Sequence, residues 1–250
     1  MKVHDMLFDV IDKRTANVYG IYGNLGGGKT LTAVELMVSS LSNGWDVISN
    51  IRLFTDRLPK SCRRGKYTYL DDFNGIDWWS LPTGAPRGSA DPFRVVIVID
   101  ECAEYFDQYS SSSPVLKSFL SWLRHSSKRG QYVFAIVQKP EFLAKSLRLL
   151  INKWIVCNDM YQMRIPWLRI RPPFCGDYVM RRVFDKLGNS ISRGFNLASK
   201  SFIGQFYDTA QSIATKGRNT TYVTRGYTVE LPSVMWLFVI VYVISLFWWI

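Results

Sequence analysis

Gly23, Asn24, Leu25, Gly26, Gly27, Gly28, Lys29 and Thr30 reproduce the spacing Gly-x-x-x-x-Gly-Lys-[Ser/Thr], and Leu31 follows them. Residues of these types at this spacing bind phosphate. The glycines leave room for the backbone to wrap until successive N–H groups face phosphate oxygens, and the N-terminus of a following helix adds positive potential. Lys29 then reaches the β- and γ-phosphates as a point charge, while the Thr30 hydroxyl is placed to ligate Mg2+. The expected ligand is ATP with Mg2+, and Gly23 to Leu31 form its contact set. The competing reading is a glycine-rich turn that happens to precede Lys-Thr.

A second set of polar residues has the order that phosphoryl transfer requires. Ile97-Val98-Ile99-Asp100 is an apolar run ending in an acid, the Walker B pattern, so Asp100 is expected to hold Mg2+ directly or through water. Glu101 beside it is suited to orient and polarise the water that attacks the γ-phosphate. The plainer reading is that both acids cap a following helix. Gln138 closes the next apolar run, the place of a γ-phosphate sensor in NTPases that carry a strand between the two Walker motifs; any loop entry also looks polar. A transition-state cation is needed as well, often from a neighbouring subunit, with Arg124, Arg129 and Arg148 as candidates. Each also fits a solvated helix face. His125 has no ligand-spaced partner and reads as a packing or hydrogen-bonding residue.

The elements that must position these groups are legible around them. The apolar run 18–22 precedes the phosphate loop as a buried strand, and 31–37 has helical spacing. A turn at Gly44 and a strand through Val47 and Ile48 follow, then a loop-rich stretch at 56–92. That stretch holds Pro59, Pro82, Pro86, Pro92 and the basic cluster Arg63-Arg64-Gly65-Lys66, and reads as an insertion over the sheet. Residues 94–99 form a β-branched run suited to a strand buried on both faces, 118–127 has helical spacing, and 132–137 is another buried strand. Past residue 165 the pattern is mixed, and 176–187 fits either an extended or a helical chain. The expected fold is α/β: a P-loop NTPase with a mainly parallel sheet flanked by helices, plus a C-terminal transmembrane helix. The expected division is a cytoplasmic ATPase domain at 1–165, a basic accessory region and juxtamembrane linker at 166–230, and the membrane helix at 231–250.

Composition narrows the setting. With 48% apolar residues over 250 positions the chain can build one sizeable core, and its net charge is +11. Residues 160–230 hold 11 of the 31 Lys/Arg against 4 of the 20 acids, a bias that suits nucleic acid or an anionic membrane surface. The four cysteines lack paired spacing, which argues against a zinc site or a disulfide framework and for lone buried thiols. No signal peptide is visible at the N-terminus. Residues 234–250 carry no charge and only Tyr242 and Ser245 as polar handles; at about 1.5 Å per residue they cover roughly 25 Å, near the lower limit for a membrane span. Lys216, Arg218 and Arg225 precede this run and, by the positive-inside rule, hold the N-terminal part in the cytoplasm. The chain stops inside the apolar run, as a tail-anchored protein or as part of a longer one.

Taken in order, these residues resemble the filamentous phage gene I assembly proteins and the related zonular occludens toxin (Zot) family. The resemblance runs through Tyr22 to Thr30, Ser49-Asn50-Ile51, Ile99-Asp100-Glu101-Cys102 and Tyr105-Phe106. It continues through Trp122, His125, Lys128, Gly130, Ile136-Val137-Gln138, Arg148 and Tyr207-Asp208-Thr209 before the apolar tail. It implies a single-pass ATPase motor in the host bacterial inner membrane, acting as a homo-oligomeric ring. Such a motor threads single-stranded DNA outward as coat subunits assemble on it. Arg148 is carried as its catalytic arginine. Family members usually continue past the span, so contact with an outer-membrane channel is not expected of the chain as it stands, nor is a toxin-like activity. Two other classes remain open: a DNA-pumping ATPase of the packaging or conjugation type, and a nucleotide-gated membrane adaptor that does not hydrolyse ATP.

Overall fold

Short β-branched and aromatic runs, each too apolar to face water, build one sheet. The computed structural model describes residues 17–86, 89–90, 93–110, 113–160, 178–191 and 196–207. Its strands are β1 (Val18–Tyr22), β2 (Asp46–Ser49), β3 (Tyr67–Tyr69), β4 (Val95–Ile99), β5 (Gln131–Val137), β6 (Lys153–Asp159), β7 (Tyr178–Asp185) and β8 (Asn196–Ser199). They form an eight-stranded sheet in the order β3-β2-β4-β5-β1-β6-β7-β8. From β3 to β6 every pairing is parallel, with Gly20 level with Ala135 and Ile97 level with Val133. β7 and β8 then extend the sheet antiparallel from β6.

Helices cover both faces, which is why the parallel strands read as continuous apolar runs. Side chains alternate between the faces with the period of two that a strand dictates. Tyr19, Ile21, Val96, Val98, Phe134 and Ile136 join the cluster beneath α1 (Lys29–Ser42). Val18, Ile97, Ile99, Val133, Ala135 and Val137 join the other, beneath α2 (Pro114–His125). The helix expected at 118–127 begins four residues earlier because Pro114, whose φ is pre-set for a helix, occupies its first turn. Two short α-helices, α3 (Lys145–Arg148) and α4 (Lys200–Ile203), and several single 3-10 turns, Lys60–Arg64 among them, make up the remaining helical segments of the described residues.

The loop-rich stretch at 56–92 is more structured than its composition suggests. It contributes the edge strand β3, where the sequence pattern indicates only a loop. Further on it plugs the α2 face with aromatic rings: Phe73 stacks on Trp78 at 5.7 Å, and Trp78 meets Phe119 at 4.6 Å. The Arg129 guanidinium fastens this plug by donating to the Trp79 and Leu81 carbonyls at 2.9 Å each.

Residues 178–185, which fitted either conformation, are strand β7. The division expected at 165/166 lies outside the described residues, and on its far side the same sheet resumes. Val179, Val183, Ala198, Ile203, Phe206 and Tyr207 all join the cluster beneath α1. Cys62, Cys102 and Cys157 are buried free thiols, and burial pushes the Cys157 thiol up to about 11. No helix among the described residues is long and apolar enough to cross a membrane. The apolar run 234–250, the basic residues that precede it and most of the 166–230 segment lie outside the described residues.

Candidate functional site

The phosphate loop turns from the C-terminal end of β1 into α1, and two of its glycines have no substitute. Gly23 lies so close to β6 that a Cβ would sit 2.2 Å from the Cys157 carbonyl oxygen. Gly28 caps α1 with φ 84°, left-handed backbone that side chains disfavour, and a Cβ there would strike Val179 on β7 at 2.3 Å. Lys29 folds back over the loop, its Nζ donating to the carbonyls of Gly23 (3.1 Å) and Asn24 (3.0 Å). Those bonds keep a nearly buried ammonium satisfied beside the place where phosphate oxygens would stand.

The strand order brings the second motif to the same edge. β5 lies between β1 and β4, so the ends of all three strands meet above the sheet. Thr30 Oγ1 donates to Asp100 Oδ2 at 3.1 Å, which puts the two expected Mg2+ ligands in contact across 70 positions of sequence. A hydroxyl and a carboxylate are hard oxygen donors, so the pair fits Mg2+. Burial raises the Asp100 carboxyl above its ordinary range, while the Glu101 amide, the Thr30 hydroxyl and the Lys29 charge pull it back. Glu101 is raised by burial and by the neighbouring Asp100 charge. It is also the one non-glycine among the described residues with positive φ, 49°. Such a conformation costs about 1–3 kcal/mol and persists where the surroundings impose it, frequently at functional sites. Gln138 lines two open clefts, one shared with Glu101, Glu104 and Asp107, the other with Tyr22, Gly23 and Asn24. It therefore sits between the loop and Glu101.

The arginines are distributed differently. α2 runs from the top of β4 to the foot of β5, so Arg124 and Arg129 stand at the edge of the sheet opposite the loop; Arg129 is engaged by the insertion, and Arg124 is exposed. Arg148 lies on the descent from β5 to β6, four positions before Asn152, whose amide donates to the Val18 carbonyl at the foot of β1. Its Nε is buried without a hydrogen-bond partner. None of the three joins the phosphate loop of its own chain. His125 packs near Trp79, ring centroids 5.7 Å apart.

Asn50 directly follows β2, the strand beside β4. Its side chain holds the backbone of Asp100 at both ends, accepting from the Asp100 amide at 2.7 Å and donating to its carbonyl at 3.0 Å. A polar residue ending the strand next to the Walker B strand was the available signal. A second feature gave no local signal: Arg181 on β7 is fully buried and donates through Nη1 to Glu35 on α1. With Val179 against Gly28, this pair braces the phosphate-loop helix from behind.

Residues 17–171 match the family model described as zonular occludens toxin (Zot). The chain belongs to that family. It is 28% identical over 159 residues to the gene 1 protein of Enterobacteria phage I2-2, covering 60% of this chain and 42% of that protein. With the gene 1 protein of Escherichia phage If1 it shares 26% identity over 156 residues, 60% of this chain and 44% of the other. This Zot-family chain thus spans less than half the length of those curated relatives. Among solved structures it is similar to the N-terminal domain of zonular occludens toxin from Neisseria meningitidis, with a TM-score of 0.48, 19% identity, and 77% and 99% of the two chains covered. The genome packaging NTPase B204 of Sulfolobus turreted icosahedral virus 2 gives a TM-score of 0.42 at 14% identity, covering 74% and 96%.

Proposed function

We propose that this chain is the ATP-hydrolysing part of an inner-membrane motor that assembles and extrudes filamentous phage. The observation that carries the reading is the convergence of Lys29, Thr30, Asp100, Glu101 and Gln138 at one sheet edge. Lys29 leaves the Gly23 and Asn24 carbonyls for the β- and γ-phosphates as ATP enters. Thr30 and Asp100 exchange their mutual hydrogen bond for Mg2+. Thr30 and Asp100 would hold that ion, which would supply positive charge beside the phosphates. Glu101 orients and polarises the attacking water, a task that needs its ionised form. The strained backbone at Glu101 favours turnover over a switch that only binds nucleotide, because a switch has no use for a carboxylate held there. Gln138 senses the γ-phosphate from its place between the two motifs.

Arg148 of a neighbouring copy supplies the transition-state cation, since it stands away from its own loop, and this requires a ring. The apolar run 234–250 spans the host inner membrane once, with the ATPase domain in the cytoplasm. Single-stranded DNA and coat subunits are the cargo, in keeping with the gene 1 proteins of phages I2-2 and If1 among the relatives.

Phage release from cells carrying Lys29→Ala tests the reading as a whole, and normal release would sink it. ATP turnover by the purified chain tests the site: Glu101→Gln turning over at the wild-type rate would leave only nucleotide binding.

A further inference from the structure

Between Arg52 and Lys66 the crossover from β2 to β3 carries six Lys/Arg and a single acid, Asp56. Arg52, Arg57, Lys60, Arg63, Arg64 and Lys66 are all exposed. Among the described residues, Arg57, Lys60, Arg63, Arg64 and Lys66 have no carboxylate in ion-pair contact. Two of the guanidinium groups are laid over rings, Arg52 at 5.1 Å from the Tyr69 centroid and Arg57 at 4.5 Å from Phe54. The apolar side chains of the same stretch turn inward: Ile51, Leu53 and Cys62 are buried. The segment starts at Asn50, which holds Asp100, and descends to the foot of α1, where Arg64 packs beside Gly44. Its charges therefore follow one edge of the sheet from the nucleotide site downward.

We propose that residues 52–66 are the track that grips the phosphate backbone of single-stranded nucleic acid. This rests on the motor reading and assigns the surface that meets the cargo. A row of like charges along an edge suits a polyanion, and arginine forks match phosphate oxygens. Guanidinium planes backed by rings offer faces on which unpaired bases stack. An anionic bilayer would call for apolar anchors among the charges, and none of the large apolar residues exposed among the described positions falls between 50 and 69. Through Asn50 a load on the track reaches Asp100, which gives nucleic acid a route to change the turnover rate.

The test uses the full chain in detergent micelles and the fluorescence anisotropy of a labelled oligo-dT of about 20 nucleotides across a salt series. With six cations engaged, log affinity against log salt should fall with a slope of about −4, at about −0.7 per phosphate contact. Replacing Arg57, Arg63 and Arg64 together by Gln should flatten the slope by about 2 and weaken binding at least about tenfold. The matching Lys triple should keep the slope, and both triples should keep basal ATP turnover. Wild-type affinity and slope in the Gln triple, or no oligo-dT binding by the native chain, would overturn the proposal. So would a Gln triple that keeps oligo-dT but no longer floats with phosphatidylserine vesicles, which would make the surface a membrane contact. If the Gln triple loses oligo-dT while Lys29→Ala hydrolyses ATP as the native chain does, the motor reading fails and the track stands.

Discussion

The parallel half of the sheet and its antiparallel extension hold the same phosphate loop by different means. β1, β4 and β5 are buried along nearly their whole length by apolar side chains, and they present their polar residues only where the strands end. β7 alternates between buried and more exposed positions and buries a full charge, Arg181, against Glu35. The first arrangement gives rigidity through close packing on two faces; the second is held by its ladder to β6 and a share of the α1-side core, and it adds two direct holds on α1, the Arg181–Glu35 ion pair and Val179 on Gly28. Chemistry sits on the rigid half. The extension decides how the helix carrying Lys29 and Thr30 is seated.

Removing a chemical group from the rigid half should leave the fold alone and stop the reaction. Glu101→Gln is expected to lower kcat by about 10²–10⁴-fold, the usual contribution of a general base, with a melting temperature at neutral pH no lower than the native one. Removing the attachment should do the reverse. Arg181→Ala strands Glu35 and is expected to cost about 3–5 kcal/mol in urea unfolding of the full chain, whereas Arg181→Met combined with Glu35→Leu should recover most of it. If the double variant is as unstable as the single one, the cost does not come from Glu35 left without its partner.

Asn50→Ala probes the hold on the metal ligand from outside the motifs. It is expected to weaken the Mg2+ dependence of ATP-analogue binding by about 10–100-fold while binding without Mg2+ changes little. A smaller effect concerns pH. Burial raises Glu101, so the acid limb of kcat should lie above the ordinary carboxylate range, with the rate rising as pH rises through it. Burial also raises Asp100, so the nucleotide-free fold binds that proton more tightly than the unfolded chain does. Its contribution to stability is present below the unfolded value and lost as pH rises through the raised one. Asp100→Asn should therefore raise the melting temperature of the Mg2+-free protein at neutral pH and abolish its response to Mg2+.

How far the sequence could be read depends on whether each signal is local. The phosphate loop, the run ending at Asp100-Glu101 and the strand ending at Gln138 are contiguous, and the order in which they occur is the order the site needs. The edge strand β3 was hidden because three half-buried residues between turns carry no period. β7 was ambiguous because its buried Arg181 breaks the apolar alternation that marks a strand, and only Glu35, 146 positions away, explains an arginine there. The arginine candidates could not be separated by sequence, and the strand order sets all three away from the phosphate loop: α2 carries Arg124 and Arg129 to the opposite edge, and Arg148 lies on the descent from β5 to β6.

By itself, then, the sequence determined that a phosphate loop opens a helix after a buried strand, that an acid pair ends another, and that a charge-free run lies near the C-terminus. Each follows from side-chain chemistry at fixed spacing along the backbone. The tertiary structure alone decided that Thr30 meets Asp100, that Asn50 holds Asp100 in place, that β7 braces α1, and that six cations line one edge. These pairings join residues tens of positions apart, and what brings them together is the order of strands in the sheet.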